Sequence, residues 1–292
     1  MTANGNSNGT PHDSASATGA RRRSPWPLVV VAALFIIMPF LTWYATWFGR
    51  ALTNEEIEKY LADDQKPRHA QHALSQIAER IGRGDTSVER WRPQVVKLSA
   101  HPVADVRMTA AWVMGVDHTT EEYRSALVRL LEDPEPIVRR NAALALVRFG
   151  DARCRTELLA MLRPYSVKAP AAGTIETILN AGVSAKRDAL LARLEPDTGA
   201  PSEVRAPVAG RIESTLVKEG NRVTRGQEIL VLAPDPAQAR DALVGLYYLG
   251  GIEDLPVVEN YARGVEGMPE GVKQQAAQTL EAVRRRSSQG VK

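Results

Sequence analysis

The chain has one cysteine, Cys154, in 292 residues. A lone thiol excludes a disulfide within the chain and any zinc or iron–sulfur centre built from its own cysteines. Charge of one sign is lacking too. The 37 basic residues stand against 34 acidic ones, a net +3, so no large basic face is forced and nucleic acid is not the default partner. Aromatic residues make up only 5%. The five histidines are scattered, and no C-x-x-C-H run is present for haem attachment. Neither a G-x-S-x-G elbow, a P-loop nor a Rossmann fingerprint occurs. What is present is 44% hydrophobic and 24% charged, enough for one large domain or two to three small ones.

Residues 1–24 open with Gly, Asn, Ser, Thr and Ala and read as a disordered tail that cannot offset its chain entropy by burial. Arg21, Arg22 and Arg23 precede an apolar run, Trp26 to Phe48. At ~1.5 Å per residue those residues span roughly 35 Å, against about 30 Å for a bilayer core. Trp26 at one end and Trp43, Tyr44 and Trp47 at the other form an aromatic belt, and Pro39 is expected to kink the helix. The run is too long for the apolar region of a cleaved signal peptide. Residues 25–49 are therefore expected to be a single transmembrane anchor. The three arginines place the N-terminus in the cytoplasm and the bulk of the chain outside the bacterial inner membrane, in the periplasm.

The next stretch is periodic at three and four. Thr53-x-x-Glu56 is a capping box, and Ala70, Ala73, Leu74, Ile77 and Ile81 form an apolar stripe that Gly84 ends. A longer pattern then repeats. Pro102, Val106-Arg107, Ala110-Ala111 and Met114 recur 32 residues later as Pro134, Val138-Arg139, Ala142-Ala143 and Leu146. It returns as Val272-Lys273, Ala276-Ala277 and Leu280, with a weaker copy from Asp235-Pro236. The pattern resembles the HEAT family of helical repeats, down to the Asp133-Pro134 and Asp235-Pro236 openings. On that reading the proline starts the second helix of each pair, Val106 and Val138 face the core, and Arg107 and Arg139 form a structural ladder with Asp105 or Asp133. Residues 50–165 and 235–287 are assigned to the repeats, and 288–292 to a tail.

Between them lies a second duplication. Val167-Lys-Ala-Pro-x-Ala-Gly-x-Ile-Glu176 matches Val204-Arg-Ala-Pro-x-Ala-Gly-x-Ile-Glu213 without a gap. Gly182 then corresponds to Gly220, and Asp188 stands where the second copy has Gly226. Short alternating runs broken by glycine predict strands. Residues 166–234 resemble the barrel-sandwich hybrid of biotinyl and lipoyl domains, a fold also found in adaptor proteins of export systems. Carrier domains present a lysine at the tip between the copies. Here the tip, Pro196 to Glu203, has none, and Lys168, Lys186 and Lys218 lie within the copies. No cofactor is expected. Eight residues are also too few for the long helical hairpin of export adaptors.

The expected fold is multidomain: one transmembrane helix, all-α HEAT-like repeats and an inserted all-β barrel-sandwich hybrid. No catalytic, cofactor or metal residue is assigned. His69 and His72 read as an exposed helix face, His101 and His118 as helix-end residues, and Cys154 as a small packing residue. The Gly245-Leu-Tyr-Tyr-Leu-Gly250 stretch reads as packing. Trp91 and Trp112 are the candidate partner-binding residues, since interfaces favour tryptophan. The chain resembles bacterial single-span HEAT-repeat proteins. That implies a non-catalytic scaffold or accessory subunit of an inner-membrane complex, first of all a respiratory electron-transfer complex with cytochrome-containing subunits, and no small-molecule substrate. A periplasmic adaptor of an export system is the alternative, and an enzyme or carrier with a bound chromophore or modified lysine is the third.

Overall fold

The computed structural model describes residues 26–47, 51–197 and 199–289. The expected tail over 1–24, with Arg21, Arg22 and Arg23, lies outside the described residues. The chain divides into two compact units, Met1–Ala51 and Leu52–Lys292.

The first unit contains helix α1, Trp26–Trp47, with Pro39 inside it. Its described side chains are those of Trp26 and residues 30–41; Trp43, Tyr44 and Trp47 are not among them. Phe35, Ile36 and Met38 are well exposed. Among the described residues, no helix is long and apolar enough to cross a membrane. The single-span anchor, its bilayer contact and the inner-membrane localisation drawn from it are corrected accordingly.

The second unit is a helical array with a β module between its segments. The helices before the module are α2 (Asn54–Leu61), α3 (Pro67–Gly82), α4 (Arg92–Leu98), α5 (Ala104–Val116), α6 (Glu121–Leu130), α7 (Pro136–Arg148) and α8 (Arg155–Met161). Those after it are α9 (Pro236–Leu249), α10 (Leu255–Arg263) and α11 (Glu270–Gln289). Helices α3, α5, α7, α9 and α11 each pack on the next, so the array continues across the β module. One apolar core runs through both segments, from Leu74, Val106 and Leu146 to Leu243, Val258 and Ala276.

Local chemistry sets the helix starts. Thr53 and Glu56 close a reciprocal capping box, with Glu56 N–H to Thr53 Oγ1 at 3.2 Å and Thr53 N–H to Glu56 Oε2 at 2.9 Å. The Asp235 carboxylate accepts from Ala237 and Gln238 N–H at 3.0 and 3.1 Å, and Pro236 opens α9 where its missing donor costs nothing. In α7 the opening proline is Pro136, not Pro134. Pro102 and Pro134 stand in the preceding turns, where their carbonyls accept from Arg107 and Arg139.

Among the described residues the β module has eight strands: β1 (Tyr165–Lys168), β2 (Gly173–Ile178), β3 (Ser184–Ala185), β4 (Leu190–Pro196), β5 (Ser202–Arg205), β6 (Gly210–Thr215), β7 (Arg222–Val223) and β8 (Glu228–Pro234). They form two four-stranded sheets, β1-β8-β6-β3 and β5-β4-β2-β7. Advancing each strand by four in chain order turns the first sheet into the second, so the sequence duplication is a structural one. Registers agree: Ile175 faces Leu194 as Ile212 faces Leu232, and the ladder shifts just after each isoleucine. Asp188 and Gly226 both have positive φ, 64° and 82°, and donate to Ala206 and Ala169 at 2.8 Å. The sheets do not close into a barrel. Strands β1 and β5 each pair on one edge only, and β3 and β7 are two residues long. The expected barrel is thus an open pair of sheets over a shared core of Ile175, Leu194, Ile212 and Leu232.

Candidate functional site

The repeat pattern decides which residues the packed helices leave outward. In α5 the buried positions are Val106, Ala110, Ala111, Val113, Met114 and Gly115. Trp112 falls between them and is 47% exposed. Leu144 of α7 and Val244 of α9 occupy the same repeat position. All three line one groove of about 420 Å³, together with Asn141, Arg148, Asp241 and Tyr248. A second hollow of about 370 Å³ adjoins it, sharing Val244 and Tyr248 and reaching Gln275, Gln278 and Arg285 of α11. The floor is fixed by close packing. A Cβ on Gly115 would stand 2.7 Å from the Ala145 Cβ, and one on Gly245 2.8 Å from a Leu158 methyl. Glycine at these positions lets α5, α7 and α9 approach.

The groove is amphipathic. Tyr248 is 61% exposed and packs edge-on against Tyr247, ring centroids 5.1 Å apart. Burial by the groove wall raises the Asp241 carboxyl above its usual range, against the pull of Arg240. Arg148 also lines the groove, its Nη1 donating to the Gly115 carbonyl at 3.4 Å. Tyr247 and Tyr248 correct the packing expectation for residues 245–250: Gly245 and Leu246 pack, and the tyrosines do not. The spacing of Asp241, Val244 and Tyr248 on one helix face was the missed signal.

The two tryptophans part company. Trp91 is 1% exposed, between the guanidinium groups of Arg80 and Arg90 at 5.3 and 5.6 Å from its ring. It is a core residue, which corrects its assignment as a partner anchor. It ends a 3-10 turn, Thr86–Trp91, and so points inward where α4 begins.

Arg107 and Arg139 bind alike, one repeat apart. Arg107 grips Asp133 in a fork, Nε to Oδ2 at 2.7 Å and Nη2 to Oδ1 at 2.9 Å. Its Nη1 donates to the carbonyls of His101 and Pro102 at 2.8 and 3.0 Å. Arg139 gives its Nη1 to Asp133 and Pro134 at 2.7 and 3.2 Å, and its Nε to Glu157 at 3.2 Å. Asp105 instead holds Arg187 of the β module at 2.9 Å. These arginines tie successive turns together.

The other singled-out groups are engaged structurally. His69 Nδ1 lies 2.8 Å from Asp63 Oδ2 and its ring stacks on Tyr60 at 4.2 Å. His101 is buried and accepts from Val103 N–H at 3.0 Å, whereas His118 is exposed. Burial pushes the Cys154 thiol up to about 12, which leaves it protonated and unreactive at neutral pH. Among the described residues, no group of three or more His, Cys, Asp or Glu could hold a metal ion. At the β4–β5 tip, Asp197 pairs with Arg222 at 2.7 Å. A cleft of about 750 Å³ lies between edge strands β1 and β5. Its Arg205 and Glu203 are already paired at 2.6 Å.

The HEAT repeats family matches residues 92–176. The match begins at α4, covers α5 to α8 and runs onto β1 and β2. This region of the chain is similar to HEAT repeats, which commonly serve protein–protein contacts. No curated protein matches the chain. Among solved structures, a single-chain, multi-domain long-chain acyl-CoA carboxylase aligns at 22% identity with a TM-score of 0.24. That alignment covers 52% of this chain and 14% of the carboxylase, a small part of the latter's length. A likeness at that level carries no argument about fold or activity.

Proposed function

We propose that the chain is a non-catalytic scaffold or accessory subunit that binds a partner protein segment in the Trp112–Tyr248 groove. One observation carries the reading. A helical-repeat array spends two of its few large aromatics on an outward groove rather than on its core, and exposed aromatics over an apolar floor are what binding hot spots are made of. The β module, on this reading, is a lipoyl-like duplicated sandwich without a carrier lysine. It is held against the array by Arg187–Asp105 at 2.9 Å and serves as a fixed spacer. The short β4–β5 connection argues against an export adaptor.

The test is affinity purification of the native full-length chain beside a Trp112→Ala/Tyr248→Ala variant, with quantitation of what accompanies each. Recovery of a specific partner should drop roughly tenfold or more, while the melting temperature stays within a few degrees. Undiminished recovery would sink the groove as the binding surface. Cytochrome-bearing subunits among the losses would name a respiratory assembly, and pump components would favour the adaptor reading.

A further inference from the structure

The groove has a chemical polarity that apolarity alone does not explain. Two repeat positions cross the array side by side. One reads Trp112, Leu144, Val244 and Gln278. The next reads Asn141 on α7, Asp241 on α9 and Gln275 on α11, with Thr109 at the same position on α5. Thr109, Asn141 and Gln275 of this second row each spend a donor on their own helix. Thr109 Oγ1–H donates to the Asp105 carbonyl at 2.7 Å, and Asn141 Nδ2–H to the Ile137 carbonyl at 2.9 Å. Gln275 Nε2–H donates to Thr279 Oγ1 at 3.4 Å. What remains includes the side-chain carbonyl oxygens of Asn141 and Gln275, and an ionised Asp241 can only accept. Asp241 makes no ion pair within the chain among the described residues, and Arg148 across the groove is turned toward the end of α5.

We propose that the groove takes a partner segment bearing a lysine or arginine beside an apolar anchor, the cation meeting Asp241 and the anchor lying on Leu144 and Val244. This rests on the proposed protein-binding role of the groove and names its partner's chemistry. Trp112 and Tyr248 line the same groove, and a cation within about 6 Å of either ring face is attracted by its quadrupole. It supplies donors to a row that holds acceptors. It also favours the charged form of the Asp241 carboxyl, which partial desolvation raises above its usual range. An acidic segment would set like charge against Asp241 and leave the acceptor row unanswered.

The experiment is selection of a randomised phage-displayed peptide library on the immobilised full-length chain, repeated on Trp112→Ala and Asp241→Asn. Asp241→Asn keeps the shape and removes the charge, and thermal melting of each variant checks that it is folded. The expected result is peptides with a basic residue next to an aliphatic or aromatic one. Their fluorescence-polarisation affinity should fall roughly tenfold on Asp241→Asn and be lost on Trp112→Ala. Peptides that depend on Trp112 but carry no basic residue, or bind Asp241→Asn equally well, overturn this inference and leave the groove reading standing. No Trp112-dependent peptide at all overturns both.

Discussion

The helical array and the β module are both duplications, and they use repetition in opposite ways. In the array each inner helix packs on the next, so a repeat position becomes a row across several helices: Trp112, Leu144, Val244. In the β module the two copies exchange strands. β8 pairs with β1 and β6, while β4 pairs with β5 and β2, so each copy completes the other's sheet. Repetition along an array makes surface, because every added unit extends a row. Repetition by exchange consumes surface, because the second copy satisfies the first. That is why the amphipathic groove lies on the helices, and why the β module shows mainly charge pairs at its edges.

The comparison can be broken most severely at the array's internal ties. Asp133 joins two repeats through the Arg107 fork, with both side chains largely buried. Asp133→Asn leaves the Arg107 charge buried without its counter-ion, and a loss of about 3 kcal/mol is expected near neutral pH. The pH dependence has a definite sign. Burial pushes the Asp133 carboxyl up, but the Arg107 hydrogen bonds and the Glu135 N–H outweigh it and hold it below the usual range. A carboxyl depressed on folding contributes its stability above the unfolded value, near pH 4, and loses it as pH falls through the folded one. Urea midpoints of wild type and variant should therefore differ most at neutral pH and converge below about pH 4. A gap that stays constant into acid would show that the fork carries no such coupling.

Much of this contrast is legible in the sequence, for physical reasons that differ by region. The Val106-Arg107 and Val138-Arg139 pairs announce the array because a packed helix repeats its burial pattern with its geometry. The duplicated Ala-Pro-x-Ala-Gly-x-Ile-Glu announces the paired sheets in the same way. Legibility fails where a residue's direction depends on a boundary. Trp91 and Trp112 look alike as tryptophans near helix starts or within repeats. One is buried because a 3-10 turn rotates it inward, and the other is exposed because it sits on the outer face of α5. Tyr248 was hidden by its glycine-flanked neighbours. The apolar run from Trp26 illustrates another limit: composition suggests a span, yet among the described residues no helix is long and apolar enough to cross a membrane.

A milder break strikes the β module at its matched glycines. A Cβ on Gly173 would run into the Glu195 carbonyl and lie 2.6 Å from the Pro196 Cα. One on Gly210 would run into the Ala233 carbonyl. These are main-chain obstacles that no side-chain rotation clears. Gly173→Ala and Gly210→Ala should each cost about 1–3 kcal/mol, with Gly173→Ala the more costly because it meets more backbone. Chemical denaturation of the two variants measures this. Equal stability to wild type would mean that the sheets can part locally, and that the two copies are less tightly exchanged than their registers imply.

The smallest expected effect asks whether the two copies are equivalent in backbone. Asp188 and Gly226 take the same left-handed turn and donate to matched alanines, yet one is not glycine. An L-residue there carries a penalty of about 1 kcal/mol, softened for Asp by its short polar side chain. Asp188→Gly removes that penalty but adds unfolded-chain entropy of about 0.4–1 kcal/mol. It also forfeits the exposed Arg187–Asp188 pair at 3.2 Å, which is worth little. The net gain should be at most about 0.5 kcal/mol, a rise of roughly 1–2 °C in melting temperature. Gly226→Asp runs the same exchange backward and should cost about as much or slightly more. Opposite signs for the two substitutions would establish that one backbone demand acts on both copies. A loss in both would mean that Asp188 does something for its turn beyond tolerating it, and that the duplication is equal in shape but not in function.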